Sequence, residues 1–395
     1  MKSSDNYGEE HVAAGAVTAP YKRATILEGV PSVNGPLRAL SYLIFLPLMW
    51  AILVGIVLLE FIISPRTFLS RKPRPRQPED VALPSESLKE LEGLVHEQLD
   101  VGGGVRLHAV SFGRRPDKPL ILFLHGFPEC WYSWRHLLAD FRADYEVVAL
   151  DMRGFGWSGK PPGISSYTLE RTSFDVVNVV SALGRTSCTL VGHDWGGVVA
   201  WVVAGRYPGL VERLVVLAAP HLLLYRRNMT VSQLVASCYI LMFQMPIVPE
   251  LVLTHHDAKL LELRSHLFAP CRRGALTAAD VELYKAALLQ PGAATASLNY
   301  YRALLGTDAG LLPFHVEVDR ALRRQLEMPV LVVWGAQDFA LQISNLIGLK
   351  EVATQSEVHI LPNCSHWIQS DQPQELRRVM ADWFAENPLP QQQRG

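Results

Sequence analysis

Short apolar runs alternate with helix-like patterns through the central part of the chain. The runs that predict strands are rich in Leu and Val, and they lie at 106–111, 120–124, 146–150, 188–192 and 213–217. Segments with a helical period lie between them, at 134–141, 169–183 and 198–207. Such alternation is typical of a mostly parallel sheet with helices on both faces. The pattern therefore predicts an α/β core, whose first part we assign to 96–221.

The same alternation returns near the C-terminus. Runs at 330–334 and 358–361 predict two more strands and 374–386 predicts a final helix, which together place a second part of the core at 323–390. The segment 222–322 has helical patterns and no clear strand. Since loops without secondary structure rarely exceed about 15 residues, this segment must fold as a unit. We predict a helical lid inserted into the sheet domain.

One long apolar run lies outside this core. Residues 39–59 are 21 residues without a charge, Glu60 interrupts them, and 61–63 extend the run. About 20 apolar residues cross a bilayer, so 39–64 is predicted to be a transmembrane anchor. A cleaved signal peptide would have a shorter apolar region that starts nearer the N-terminus. A helix of the globular core would show a polar face.

The segments beside this run predict its orientation. Residues 1–38 are a polar leader, 65–95 a basic and Pro-rich linker, and 391–395 a tail. Five basic residues follow the run closely at 66–76, whereas Arg38 alone lies close before it, so the positive-inside rule puts the large domain in the cytosol. Sequons at Asn228 and Asn363 would favour the lumen. We interpret both as chance matches, because a glycan at Asn363 would block the catalytic site proposed below.

Charge and cysteine content exclude several classes of function. The 37 basic and 38 acidic residues give a net charge of −1, so no global field favours nucleic acid. The five cysteines have no metal-ligand spacing and are odd in number, which indicates reduced thiols. We expect no nucleic-acid partner, no metal and no cofactor.

The most informative motif is Val-Gly-His-Asp-Trp-Gly-Gly-Val at 191–198. A strand-like run precedes it and a helical run follows it, which is the setting of a nucleophile elbow. Asp194 stands where such an elbow usually has Ser. A carboxylate nucleophile attacks carbon and forms an alkyl ester, so it indicates epoxides or alkyl halides as substrates. The alternative is an Asp that caps the following helix.

Two further segments supply the remaining catalytic parts. His-Gly-Phe-Pro at 125–128 follows a predicted strand, so the backbone N–H groups of Phe127 and Trp195 are expected to form an oxyanion hole beside Asp194. His366 follows the last predicted strand and Asp338 follows the one before it. This is the order of nucleophile, acid and His that the fold requires. We predict that His366 is the general base and that Asp338 orients it.

Four motifs together resemble those of epoxide hydrolases with the α/β-hydrolase fold. They are His-Gly-Phe-Pro-Glu at 125–129, Asp-Met-Arg-Gly-Phe-Gly-Trp-Ser at 151–158, Gly-His-Asp-Trp-Gly-Gly at 192–197 and Leu-Asn-Tyr-Tyr-Arg at 298–302. The similarity extends over about 101–384 and is greatest to the membrane-anchored epoxide hydrolase 3 and 4 type. It implies an α/β-hydrolase fold with a helical lid, preceded by one transmembrane helix in the endoplasmic reticulum membrane.

The resemblance also implies two lid tyrosines that face the nucleophile. It maps them onto Tyr301 and onto Tyr239. Opening an epoxide releases an alkoxide, and a phenol can hand it a proton as the C–O bond breaks. A lid tyrosine that merely packs against the core is the alternative for either residue.

We therefore expect hydrolysis of epoxides to vicinal diols through an ester on Asp194. The predicted anchor and an apolar lid favour lipophilic epoxides such as those of fatty acids, with water as the second substrate. A haloalkane dehalogenase shares the Asp elbow and the base but leaves Tyr301 unexplained. A catalytically silent, membrane-tethered binding protein is the non-enzymatic alternative.

Overall fold

The computed structural model describes residues 90–263, 275–306 and 316–389, together with the single residues 51 and 55. The predicted leader 1–38 and tail 391–395 lie outside these residues. The predicted anchor 39–64 does too, except for residues 51 and 55. Among the described residues, none of the helices is both long and apolar enough to cross a membrane.

Eight strands form one sheet in the order β1-β2-β4-β3-β5-β6-β7-β8. Their bounds are Val95–Asp100 (β1), Arg106–Ser111 (β2), Leu120–Leu124 (β3), Glu146–Leu150 (β4), Cys188–His193 (β5), Val211–Leu217 (β6), Val330–Gly335 (β7) and Ser356–Leu361 (β8). The first two strands pair antiparallel, and β2 also pairs antiparallel with β4. In the order of the sheet, every pairing from β4 through β3 to β8 is parallel. The predicted mostly parallel α/β core is confirmed.

Strand β1 was not predicted, and the predicted linker 65–95 extends too far toward it. Leu91 is already buried and packs into the hydrophobic core, and Val95 begins the strand. The sequence of β1 is largely polar, and of its six residues only Leu99 is buried. An edge strand with little burial carries a weak apolar signal, which explains the omission.

Fourteen α-helices are described, and they fall into three groups along the chain. Between β3 and β6 lie Arg135–Phe141 (α1), Leu169–Ala182 (α2) and Trp195–Arg206 (α3). Between β6 and β7 lie Leu222–Arg227 (α4), Val231–Ala236 (α5), Cys238–Met242 (α6), Val248–Ala258 (α7), Leu260–Leu263 (α8), Ala278–Leu288 (α9), Ala293–Gly306 (α10) and Val316–Arg323 (α11). After β7 lie Leu349–Val352 (α12), Ile368–Asp371 (α13) and Pro373–Glu386 (α14).

The central strands β3, β4, β5 and β7 are buried along their whole length. Strands covered on both faces need apolar residues at every position, which is why these runs are continuous instead of alternating. The carboxyl ends of the parallel strands meet at one edge of the sheet, where an α/β protein binds its ligands. The described residues between β6 and β7 are helical, and this inserted unit supplies the lid that covers that edge.

Candidate active site

The tight turn between β5 and α3 positions Asp194. The strand ends at His193 and the helix begins at Trp195, so Asp194 alone makes the turn, with φ 49° and ψ −117°. A positive φ at a residue other than glycine is costly and is kept where the surroundings impose it. The Asp194 side chain makes no capping bond to its own helix. The side chain of Asp194 therefore does not cap the helix, and its carboxylate is available for other contacts.

The predicted helix at 198–207 starts three residues too late. Gly196 and Gly197 lie inside the first turn of α3, and the sequence pattern treats glycines as turn residues. Close packing explains their presence. A Cβ on Gly196 would lie 2.1 Å from the carbonyl oxygen of Leu124, and a Cβ on Gly126 would lie 2.5 Å from the Cβ of Asp194. Glycine alone lets the turn approach the end of β3 this closely.

The loop after β3 holds one oxygen of the nucleophile. The backbone N–H of Phe127 donates a hydrogen bond to Oδ1 of Asp194 at 2.9 Å. This is the donor position predicted for the first half of an oxyanion hole. Trp195 follows Asp194 directly, at the start of α3. The role of its N–H as the second donor stays a prediction.

His366 and Asp338 come together beside Asp194. The Nδ1 atom of His366 lies 2.8 Å from Oδ2 of Asp338, and its Nε2 atom faces Oδ2 of Asp194 at 3.6 Å. The other oxygen of Asp338 accepts hydrogen bonds from the N–H groups of Ala340 (2.8 Å) and Leu341 (2.9 Å). The acid is thus held by its own loop, and the imidazole is aligned between two carboxylates.

These carboxylates determine the charge of the base. Burial alone would lower the pKa of His366, but Asp338 and Asp194 outweigh burial and raise that pKa to about 10. Burial would raise the pKa of Asp194, yet its pairing with His366 and the Phe127 N–H hold that pKa below its usual value. Asp194 is therefore ionised at neutral pH. Because the Asp194 carboxylate is one of the anions that raise the pKa of His366, its neutralisation would lower that pKa.

Both predicted tyrosines lie over this site. Tyr301 on α10 is buried, and its ring centroid lies 4.9 Å from that of Trp195 and 5.4 Å from that of Phe127. Tyr239 on α6 is partly buried, and its ring centroid lies 5.9 Å from that of Tyr301. Burial, reinforced by the nearby Asp194 carboxylate, raises the pKa of both phenols well above the usual value. Both are therefore protonated at neutral pH.

A buried polar network behind the site was not predicted. Glu129 accepts from Nδ1 of His193 (2.8 Å) and from the amide of Gln369 (3.0 and 3.1 Å). The Nε2 atom of His193 lies 2.9 Å from the backbone oxygen of His366. Both nitrogens of His193 therefore have a partner inside the core. Glu129 lies in the motif 125–129 and His193 lies in the motif 192–197, but nothing in the sequence pattern indicates that either side chain is completely buried.

Comparison with known proteins agrees with this geometry. Residues 119–373 match the alpha/beta hydrolase fold family. Epoxide hydrolase 3 of Xenopus tropicalis is 37% identical over 293 residues, which are 72% of this chain and 76% of that protein. Epoxide hydrolase 4 of Homo sapiens is 36% identical, over 72% of this chain and 76% of that protein. The chain belongs to the epoxide hydrolase family.

Solved structures of epoxide hydrolases are similar as well. The Bacillus megaterium epoxide hydrolase in complex with an inhibitor aligns with a TM-score of 0.63 and 33% identity, over 73% of this chain and all of that one. The epoxide hydrolase VrEH1 from Vigna radiata aligns with a TM-score of 0.62 and 25% identity, over 75% of this chain. The prediction of an epoxide hydrolase is confirmed in preference to a dehalogenase or a silent binding protein.

Proposed function

We propose that this epoxide hydrolase converts lipophilic epoxides to vicinal diols through a hydroxyalkyl ester on Asp194. The observation that carries the proposal is the arrangement around this carboxylate. Its Oδ1 is held by the Phe127 N–H at 2.9 Å, its Oδ2 faces His366 at 3.6 Å, and it lies close enough to two protonated phenols to raise their pKa. A nucleophile, a base and two acids are thus present together.

In the first step the Asp194 carboxylate attacks one carbon of the epoxide. A new C–O ester bond forms as the ring C–O bond breaks, and the electron pair goes to the ring oxygen. Tyr239 and Tyr301 hydrogen-bond that oxygen, and one of them transfers its proton to give the hydroxyl group. The resulting phenolate is a strong base because the pKa of its phenol is raised, and it regains its proton from the charged His366, which leaves that imidazole neutral for the second step.

In the second step water hydrolyses the ester. His366 takes a proton from water, and the hydroxide adds to the ester carbonyl carbon of Asp194. Asp338 stabilises the imidazolium, and the Phe127 N–H stabilises the tetrahedral oxyanion. The ester C–O bond then breaks, and the departing alkoxide takes the proton from His366 to give the diol. The acid left on Asp194, one of whose oxygens now comes from water, passes its proton to His366, which regenerates the Asp194 carboxylate and the charged His366.

Aromatic rings around the tyrosines support a lipophilic substrate. Phe243 lies 5.5 Å from Phe127 and 5.0 Å from Tyr301 between ring centroids, and Tyr239 lies 5.5 Å from Phe243. Such rings favour hydrocarbon substituents next to the epoxide. We propose epoxides of unsaturated fatty acids as the natural class. A higher kcat/KM for a fatty-acid epoxide than for a short water-soluble epoxide would support this class, and the reverse order would contradict it.

We also propose that residues 39–64 anchor the enzyme in the endoplasmic reticulum membrane with the catalytic domain in the cytosol. The length of the uncharged run 39–59 and the basic residues after the anchor support the proposal.

A further observation concerns the sequon at Asn228. Its Nδ2 atom, to which a glycan would attach, donates a hydrogen bond to the backbone oxygen of Ile347 at 2.8 Å. This contact favours an unmodified side chain.

A product assay tests the reaction class directly. We expect the purified protein to release a vicinal diol from a simple epoxide such as styrene oxide, at a rate that depends on Asp194. Release of chloride or bromide from a haloalkane, without diol formation from any epoxide, would contradict the proposal.

A further inference from the structure

One lid glutamine uses every hydrogen-bonding group of its side-chain amide to join the lid to the loop that carries Asp338. Gln233 lies on α5 and is fully buried. Its Nε2 donates to the backbone oxygen of Ala340 (2.8 Å) and to Oγ of Ser237 (2.9 Å). Its Oε1 accepts from the backbone N–H of Gln342 (2.8 Å) and from Nδ2 of Asn345 (2.8 Å). An amide has two hydrogens to donate and two lone pairs, and all four are in use.

The bond to Ala340 leads directly to the base. The N–H of the same residue donates to Oδ1 of Asp338 at 2.8 Å, and Oδ2 of Asp338 aligns His366 at 2.8 Å. The peptide unit after Ala340 is thus held by Gln233 through its oxygen and by Asp338 through the Leu341 N–H. Loss of the Gln233 contact would remove one of the bonds that hold this loop and would let Asp338 depart from its position beside His366.

The bond to Ser237 leads to a proton donor. Ser237 precedes α6, which carries Tyr239, and its Oγ also hydrogen-bonds the hydroxyl of Tyr225 at 2.7 Å. Tyr239 lies two residues further along, with its ring centroid 5.9 Å from that of Tyr301. The same Gln233 amide thus contacts the start of the helix that positions the phenol and the loop that positions the acid.

We infer that Gln233 is a positioning residue that couples the two half-reactions, by holding the Asp338 loop and the Tyr239 helix in one fixed arrangement. It touches neither substrate nor reacting atoms and acts through Ala340 and Ser237. The inference rests on the proposed ester mechanism, because it assigns one contact to ester formation and another to ester hydrolysis. Buried networks with every partner satisfied are rigid, which suits this role.

Gln233→Met tests the inference, because it keeps the length of the side chain and removes all four hydrogen bonds. Single-turnover kinetics would measure ester formation and ester hydrolysis separately. We expect both to slow about 10-fold, less than the roughly 10²-fold that a 1 Å misplacement in an active site can cause. Ser237→Ala removes the bonds of its hydroxyl to Gln233 and Tyr225 at the start of the Tyr239 helix and leaves the Ala340 bond in place, so it should slow ester formation and leave hydrolysis unchanged.

The pH profile of ester hydrolysis distinguishes positioning from a general loss of stability. Asp338 faces His366 at 2.8 Å, the esterified Asp194 carries no charge at this stage, and the His193 ring lies 4.9 Å away between centroids. Hydrolysis requires neutral His366, so its rate falls below the pKa of that residue. If Gln233 holds Asp338 in place, Gln233→Met lowers this pKa, and the acid limb of the profile moves to lower pH.

Ser232→Ala is the matched control. Ser232 is the neighbouring residue on the same helix and donates to Oε1 of Gln342 on the same loop at 3.0 Å, but it contacts neither Ala340 nor Ser237 through its hydroxyl. We expect this variant to keep both rates and the pH profile. If the Met variant does not fold, the neutral Gln233→Asn shortens the side chain by one methylene, so it withdraws the amide from Ala340 without adding a charge, and it should shift the profile in the same direction.

The inference is overturned if the wild type forms the ester and Gln233→Met shows an unchanged pH profile, with rates of ester formation and hydrolysis equal to those of Ser232→Ala. Absence of an ester in the wild type contradicts the proposed mechanism instead, so the two failures are distinguishable.

Discussion

Replacement of the two lid tyrosines by phenylalanine gives the sharpest test of how the leaving oxygen is activated. Tyr301 packs its ring within 4.9 to 5.4 Å of Trp195, Phe127 and Phe243 between centroids. Phenylalanine keeps this packing and removes only the hydroxyl. Any change in rate therefore reports the lost proton and hydrogen bond, since the lid retains its apolar contacts.

The magnitude follows from the presence of two donors. General acid catalysis contributes about 10² to 10⁴-fold, and Tyr239 still donates one hydrogen bond in Tyr301→Phe. We expect a loss of about 10²-fold for this single variant, which corresponds to about 2.7 kcal/mol of transition-state stabilisation. The double variant with Tyr239→Phe leaves no phenol, so its loss should reach roughly 10⁴-fold.

Single-turnover kinetics with excess enzyme would locate the loss. Ester accumulation, followed by mass spectrometry of the acid-quenched protein, should slow in both variants. Ester hydrolysis should change far less, because His366 and Asp338 keep their contacts. Ester formation at the wild-type rate in the double variant would refute the assignment of these tyrosines.

Four further predictions concern the nucleophile, the base, the acid and the anchor. Asp194→Ala should abolish turnover because no other group forms the ester, and an ester trapped in this variant would contradict the scheme. His366→Gln should accumulate ester without hydrolysing it, and normal steady-state turnover of this variant would contradict the scheme. Asp338→Asn removes an anion that raises the pKa of His366, so the acid limb of ester hydrolysis should move to lower pH while the maximal rate falls; a shift to higher pH would show that the sign is wrong. Removal of all residues before Pro84 should release an active domain from membranes, and sedimentation of the truncated protein with membranes would show that the anchor assignment is incomplete.

The sequence predicted the catalytic centre better than its surroundings. Asp194 and Asp338 each follow a strongly apolar strand and His366 follows the edge strand β8, and parallel strands end at one edge of the sheet, so order along the chain was enough to bring them together. The strands themselves carried a clear signal because they are buried on both faces. Strand β1 did not, because only Leu99 among its residues is buried.

The supporting residues could not be found in this way. Glu129 and His193 pair inside the core at 2.8 Å, and Gln233 meets Ala340 across 107 positions of sequence. Polar side chains at such positions look like those of any solvated loop or helix. Their role depends on which segments the fold brings together, and that information lies in the packing of the lid against the sheet domain, not in local patterns.

The central claim is that water attacks the ester on Asp194 and not the epoxide itself. One turnover in oxygen-18 water, with enzyme in excess, separates these routes by mass spectrometry of the peptide that contains Asp194 and of the diol. The ester route predicts one labelled oxygen in the Asp194 carboxylate and an unlabelled diol. A labelled diol with unlabelled Asp194 would contradict it.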